Sequence, residues 1–321
     1  MQLFNQALIK YNKLSREIRA FPLPIVIFHI AHNISMRFGG PLDRCICTYR
    51  HKLILSFLAQ KADAILKASP AELITNDSSI QPRIWTCWWQ GADQAPPLVQ
   101  ACLRRMSQVY PDQVCIITKD NFQEYIEVPS YVLEKVKNGI ITLTHFSDIL
   151  RVGLLAKYGG LWLDATVYCH APLSETLMQL PVYTCRFPAS NYDFHYPPPC
   201  FWTAFILGGN KQATLYKKMW EIFLSYWEKY DAMIDYFLVD YTIALLYAKC
   251  PDVKEELDQV PINNQLVLKL MPHINEAYDS QRLQTTLMNG NFSKLSYKQP
   301  CETQTTDGQK TFYEYIVHEG L

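Results

Sequence analysis

The sequence predicts an α/β fold, a mostly parallel sheet flanked by helices, with a helical appendage in front of it. From residue 84 onward, short apolar runs of strand length alternate with longer segments whose apolar residues recur at helical spacing, the mark of consecutive βα units. Over residues 1–72 the helical spacing stands alone, with basic residues between the apolar positions. A third observation divides the two regions: Thr75-Asn-Asp-Ser-Ser79 followed by Pro82 is the strongest break in the chain. A helical accessory region at 1–75 is therefore expected before a main domain at 80–321, itself composed of halves 80–170 and 171–321.

The elements follow in order. Leu3, Ala7, Leu8, Tyr11, Leu14 and Ile18 line one helix, and Leu53, Ile54, Phe57, Leu58, Ile65 and Leu66 repeat the pattern. Between them Phe21–Ala31 is apolar but far short of the roughly 20 residues that span a bilayer, and suits an interface instead. Ile84-Trp-Thr-Cys-Trp-Trp89, bounded by Pro82 and Gly91, reads as a buried strand. Pro96–Tyr110 has helix spacing at Leu98, Cys102, Leu103 and Met106, and Val114–Thr118 is a second strand. Residues 122–138 read as helix, Ile140–Leu143 as a short extended piece, residues 145–158 as a strongly amphipathic helix and Leu161–Val167 as another strand. After Pro172 loops dominate until an apolar strand from Phe201 to Leu207 ends at Gly208-Gly209. Helices are expected at 211–230 and 235–249, and the remainder is mixed, with no internal repeat.

Composition narrows the class. The chain has 321 residues, 49% hydrophobic and 19% charged with 12 Gly, which excludes collagen-like, low-complexity and disordered proteins. The formal net charge is zero, yet residues 1–70 carry ten Lys/Arg against three Asp/Glu. Such a front marks a surface for an anionic partner, nucleic acid or membrane headgroups. No nucleic-acid-binding signature accompanies it and the remainder is acidic, so nucleic acid ranks last and the membrane first. Lys10, Lys13, Arg16 and Arg19 before the apolar stretch loosely mimic a signal peptide, but no small-residue cleavage site follows and Arg37 comes soon after. The ten cysteines form no CxxC pair and read as free thiols in a reducing cytosol.

The richest segment is Thr144–Thr166. Asp148 and Arg151 are three apart and share a helix face. Asp148 falls in the expected first turn, where the helix dipole favours a carboxylate. Ile149, Val152, Leu155 and Ala156 form the opposite, core face. Gly159-Gly160 fits a helix C-cap that turns the chain at once into the next strand. That strand stays apolar until Asp164, at the carboxyl end where open sheets of this kind collect ligands. A carboxylate there suits a metal or a ribose hydroxyl. Taken alone, Asp148 and Arg151 are an ordinary surface ion pair and Asp164 a loop cap; the double glycine and the terminal aspartate together shift the balance toward a site.

Ser147-Asp-Ile-Leu-Arg151 followed by Tyr158-Gly-Gly-Leu-Trp-Leu-Asp-Ala-Thr166 resembles the signature of the capsular polysaccharide synthesis glycosyltransferases. These are relatives of the DxD-containing family of initiating mannosyltransferases and, more distantly, of the clostridial glucosylating toxins. Pro82–Gly91 is similar to the family's first nucleotide-binding strand, Ile116–Asn121 to its second, and Ser293-Lys-Leu-Ser-Tyr-Lys298 to a C-terminal motif. The resemblance covers residues 82–170 well and 200–298 loosely, with 1–70 outside it.

The resemblance implies a GT-A-like fold with the nucleotide-sugar half at 80–170 and the acceptor half at 171–321. It implies a UDP- or GDP-hexose donor and retention of anomeric configuration. Carried over, Trp88 or Trp89 would stack on the nucleobase, Asp148 and Arg151 would bond the sugar's hydroxyls, and Asp164 would contact the ribose and a metal. Trp162 would pack beneath the nucleotide or serve as a core aromatic. Thr166 stands where the family's second DxD aspartate is usual, so Mn2+ or Mg2+ has lost a strong ligand. Charge at the departing diphosphate would then come from Lys294, with Tyr297 beside it. Asp193 and His195, in a polar aromatic loop, are candidates for the acceptor site, Asp235 and Asp240 for the sugar, and His318 for a late metal ligand. The expected activity is transfer of a hexose to a lipid-linked capsular or surface glycan, by a cytoplasmic protein whose residues 1–70 rest on the anionic inner face of the membrane. A second reading, a catalytically silent nucleotide-sugar or glycan-binding protein, takes Thr166 as the record of a lost metal.

Overall fold

The computed structural model describes residues 14–70 and 84–319, so the expected helix positions Leu3–Tyr11, with Lys10 and Lys13, and the break at Thr75–Pro82 lie outside the described residues. Residues 14–20 are helical. They lead into α1 (Leu23–Ser35) and α2 (Gly40–Lys61), each with a proline in its first turn, where the fixed φ suits a helix start and the missing N–H costs nothing. Gly39 and Gly40, both at positive φ, fold α1 back onto α2.

The main sheet is built from β1 (Ile84–Cys87), β2 (Val114–Ile117), β3 (Gly160–Leu163), β5 (Val182–Thr184) and β6 (Ile206–Gly209), in the order β2-β1-β3-β6-β5. β1 runs parallel to β2 and β3, and β6 lies antiparallel between β3 and β5, so among the described strands of this sheet β6 alone is reversed. Helices α3 (Pro97–Val109), α4 (Leu143–Tyr158), α5 (Thr214–Lys229) and α6 (Leu238–Lys249) flank it, an arrangement consistent with a GT-A-like fold. A second pairing joins β4 (Val167–Cys169) to β7 (Phe292–Lys294), with Val167 opposite Lys294. That register draws the chain's last third back to the end of β3.

α4 is the buried spine of the molecule. Its backbone approaches α5 at Gly153, where a Cβ would lie 2.7 Å from the Trp220 ring and 2.1 Å from Ile126. Ile149, Val152, Leu155 and Ala156 are all buried in the main core, as the amphipathic pattern requires. α4 begins earlier than the spacing predicts, at Leu143, with the Thr142 hydroxyl accepting from the His145 N–H. This removes the expected extended piece at Ile140–Leu143 and puts Asp148 in the second turn, beyond the reach of the helix-end dipole.

Other boundaries also differ. Residues 122–138 split into Phe122–Tyr125 and Ser130–Lys137 because Pro129 holds the intervening chain extended. Leu161–Val167 is cut at Asp164 by a turn in which Val167 N–H bonds the Asp164 carbonyl. Of Phe201–Leu207 only the end is strand: the Phe205 carbonyl extends the β3–β6 pairing by one bond from Asp164 N–H, and before it Thr203 N–H turns to the Thr184 hydroxyl instead of a backbone carbonyl. All ten cysteines are free. Among the described residues no helix is long and apolar enough to cross a membrane.

Gly159 has φ +71° at the end of α4, and a Cβ there would sit 2.8 Å from both the Gly209 carbonyl oxygen and the Lys211 nitrogen. Gly159→Ala is therefore expected to lower stability by about 1–3 kcal/mol. Thermal melting reads this directly, and an unchanged Tm would contradict a tight α4–β3 corner.

Candidate functional site

The corner between α4 and β3 decides which side chains meet. α4 projects Arg151 toward the sheet, Gly159 and Gly160 turn the chain without an intervening loop, and β3 carries Asp164 out at its carboxyl end. Asp164 Oδ1 accepts from Arg151 at 2.9 Å and from Trp162 Nε1 at 2.9 Å, while Oδ2 accepts from Lys294 Nζ at 2.6 Å. The same Arg151 nitrogen lies 3.0 Å from Asp148 Oδ1, and its other terminal nitrogen donates to the Ala204 carbonyl. The guanidinium rests 5.1 Å from the centre of the Trp162 ring, and the Lys294 ammonium 5.0 Å from that of Phe205.

Behind Asp148 lies His145, with Nδ1 3.2 Å from Asp148 Oδ2. Trp227 Nε1, which can only donate, is 3.0 Å from His145 Nε2. Nε2 must therefore accept, which assigns the ring proton to Nδ1, aimed at Asp148. A line of polar contacts runs Trp227, His145, Asp148, Arg151, Asp164, Lys294, buried at its Trp227 end and partly exposed at Asp164 and Lys294. Burial alone would raise the Asp164 carboxyl, but Lys294 and Arg151 outweigh it and hold the group below its ordinary range. Asp240 behaves in the opposite way. Burial pushes its carboxyl up to about 6, the Trp202 indole N–H at 3.1 Å counters only part of this, and the nearby Asp148 charge adds to it.

The structure thus brings Asp148, Arg151, Trp162, Asp164 and Lys294 together. Trp88 stands edge-on to Tyr297 at 5.5 Å, and its Nε1 is buried without a hydrogen-bond partner, as is Arg151 Nε. Trp89 instead packs on Phe122 and Phe146, each at 5.3 Å, as part of the main core. Thr166 uses its carbonyl to accept from Leu295 N–H at 2.9 Å, fixing the β4–β7 pairing beside the site. Asp193 holds one ring nitrogen of His195, whose other ring nitrogen reaches Asp43 on α2, in a second cluster formed with the N-terminal helices. Asp235 is paired with Arg50 of α2 rather than with the site. His318 is 3.7 Å from Glu314 on its own helical turn, near the C-terminus.

Several contributors escaped sequence reasoning. His145 carried a readable signal, three residues before Asp148 on a helix, but Trp227 and Trp202 gave none. Cys87, at the end of β1, and Tyr236 complete the surroundings. Burial pushes the Cys87 thiol up to about 12, with the Asp164 charge adding to it, and burial together with Asp148 and Asp164 raises Tyr236.

The donor set at Asp164 does not fit a resident Mn2+ or Mg2+. Both carboxylate oxygens are engaged by Arg151, Trp162 and Lys294, and Thr166 offers a hydroxyl where a carboxylate would be needed. Among the described residues the group of acidic, histidine and cysteine side chains spaced for a metal lies elsewhere, at His32, Asp43 and Cys47.

A family model described as capsular polysaccharide synthesis protein matches residues 39–316. The match takes in α2, which lies outside the resemblance carried by the sequence motifs. The reason is visible in the packing: α2 is bonded into the domain through His51 to Tyr241 at 2.7 Å and through Arg50 to Asp235. No curated protein matches the chain.

The raised carboxyl of Asp240 has a pH consequence. The folded state keeps a proton that the unfolded chain releases above its ordinary value of 3.8, so this residue's contribution to stability is lost as pH rises toward about 6. Asp240→Asn is expected to remove that loss and to leave the variant about 1–3 kcal/mol more stable than the parent above the window, while below it the two converge. Urea unfolding on either side of the window tests this; identical pH slopes for the two proteins would refute it.

Proposed function

The chain belongs to the capsular polysaccharide synthesis protein family, and on that premise we propose that it is a retaining glycosyltransferase that moves a hexose from a UDP- or GDP-sugar to a lipid-linked capsular or surface glycan. One observation carries the proposal: a single carboxylate at the end of β3 gathers a guanidinium and an ammonium around it. Groups suited to hydroxyls and groups suited to phosphates therefore meet at one strand end. In this reading Asp148 and Arg151 orient the donor sugar, Asp164 faces the ribose with Trp162 beneath, Trp88 and Tyr297 hold the base, and Lys294 steadies the diphosphate as it leaves. The buried, unpartnered N–H groups of Trp88 and Arg151 support an acceptor-rich ligand there.

The bond from the anomeric carbon to the diphosphate breaks while a bond to the acceptor oxygen forms on the same face. The acceptor proton passes to the departing diphosphate. Retention is supported by the state of the carboxylates: Arg151 engages both Asp148 and Asp164, so neither is a free base for attack from the opposite face. Lys294 and Arg151 supply positive charge where a divalent cation otherwise serves, and the transfer is proposed to need neither Mn2+ nor Mg2+.

The same reading sets the protein on the inner face of the membrane. Leu23, Ile27, Ile30 and Ile34 recur at helical spacing along α1 and are 45–62% exposed, and Phe38 and Leu42 extend the apolar surface beyond it. Arg16, Arg19, Arg37 and Arg44 flank the stripe in sequence. An apolar face with basic borders fits a helix lying in an anionic interface. The loop of Asp193 and His195 packs against this hairpin, which supports a lipid-linked acceptor approaching there.

Purified protein incubated with UDP- and GDP-hexoses is expected to release nucleotide slowly, in EDTA as well as in Mn2+. Asp164→Ala is expected to abolish release and Lys294→Met to slow it by about 100-fold or more. Donor binding without release at any condition would instead favour the silent binder. Replacing Ile27, Ile30 and Ile34 together by Ser is expected to release the protein from anionic vesicles; unaltered sedimentation with them would end the membrane proposal.

A further inference from the structure

The second cluster, away from Asp164, has its own chemistry. His32 comes from α1, Asp43 and Cys47 come from one face of α2 four residues apart, and His195 comes from the loop between β5 and β6. His32 Nδ1 lies 3.2 Å from Cys47 Sγ and 3.8 Å from Asp43 Oδ1, and Cys47 Sγ lies 3.8 Å from the same oxygen. A tetrahedral zinc ion with ligands at about 2.0–2.3 Å separates its donors by about 3.3–3.8 Å, so the three atoms already stand close to the corners of one coordination sphere.

We propose that His32, Asp43 and Cys47 form a zinc(II) site that fastens the loop carrying His195 to the N-terminal helical hairpin. The surroundings match what a zinc ligand needs. Asp43 is 1% exposed, and its carboxylate is held from two sides, by the Ser35 hydroxyl at 2.6 Å and by His195 Nε2 at 3.0 Å. His195 is in turn held by Asp193 at 2.7 Å through its other ring nitrogen. Partners of this kind fix the orientation of a ligand and tune its basicity. A thiolate with an imidazole selects zinc over Mg2+ or Mn2+, which prefer oxygen. The loop so fastened continues to Tyr196, whose ring packs on Phe237 at 5.0 Å beside Tyr236, so the ion would set the order of a segment bordering the candidate active site. The inference stands apart from the donor site, since it uses none of the residues gathered at Asp164, and shares with the transferase reading only the loop of Asp193 and His195.

Full-length protein without an affinity tag, stripped with EDTA and titrated with Co2+, is expected to bind one equivalent and to develop a thiolate-to-cobalt charge-transfer band together with the intense visible bands of tetrahedral Co2+. Zn2+ should displace the cobalt and raise the Tm of the stripped protein. Cys47→Ser should lose the charge-transfer band, His195→Gln should weaken Co2+ binding by about 10–100-fold, and Cys45→Ser and Asp164→Ala should leave both band and affinity unchanged. Absence of the band in the parent protein, a measurement that needs no variant to fold, would overturn the proposal, and so would its persistence in Cys47→Ser.

Discussion

A guanidinium withdrawn almost wholly from water needs its charge matched, and Arg151, 3% exposed, is matched twice: by Asp148 from its own helix and by Asp164 from the end of β3. The three side chains hold one another in place. Removing either carboxylate would leave a buried cation undercompensated, a far greater cost than that of an exposed pair. The Ala204 carbonyl and the Trp162 face close the remaining approaches. The helix, the strand after it and the start of β6 are thus tied at one point, and the candidate site is the open side of that knot.

Lys294 enters from the far end of the chain because β7 pairs with β4 in a register that sets Lys294 opposite Val167, three residues beyond Asp164. With both cations in place the carboxylate stays ionised despite its burial. Asp240, close by but with an indole N–H as its strongest hydrogen-bond partner, is held toward its neutral form. Two aspartates near one arginine therefore carry opposite character, and the difference lies in which of them the cations reach.

The N-terminal hairpin is joined to this core by polar contacts as well as by packing. His51 bonds Tyr241, the residue after Asp240, and also the Phe194 carbonyl, while Arg50 pairs with Asp235 just before α6. These links explain why α2 falls inside the family match although its sequence reads as an appendage. They also place the Asp43 cluster, the exposed face of α1 and the loop of His195 in one layer.

Much of the fold was legible before any coordinates. The amphipathic helices α3, α4 and α5, the almost wholly buried helix α6, the strands at β1 and β2, and the turn at Gly159-Gly160 all follow from patterns spanning no more than about 18 residues, where periodicity and backbone allowance speak directly. Local reading failed where a distant partner decided the outcome. The Phe201–Thr203 segment has strand composition, yet Thr203 N–H is taken by the Thr184 hydroxyl, and nothing in the loop around His195 announces that α2 sets Asp43 beside it. By itself the sequence determined that Asp148 and Arg151 share a helix face and that a carboxylate ends the strand after them. Only the tertiary structure decided that all three meet, that Lys294 joins them, and that Trp88 rather than Trp89 stays out of the main core, because each of these depends on strand register and helix packing between residues far apart in the chain.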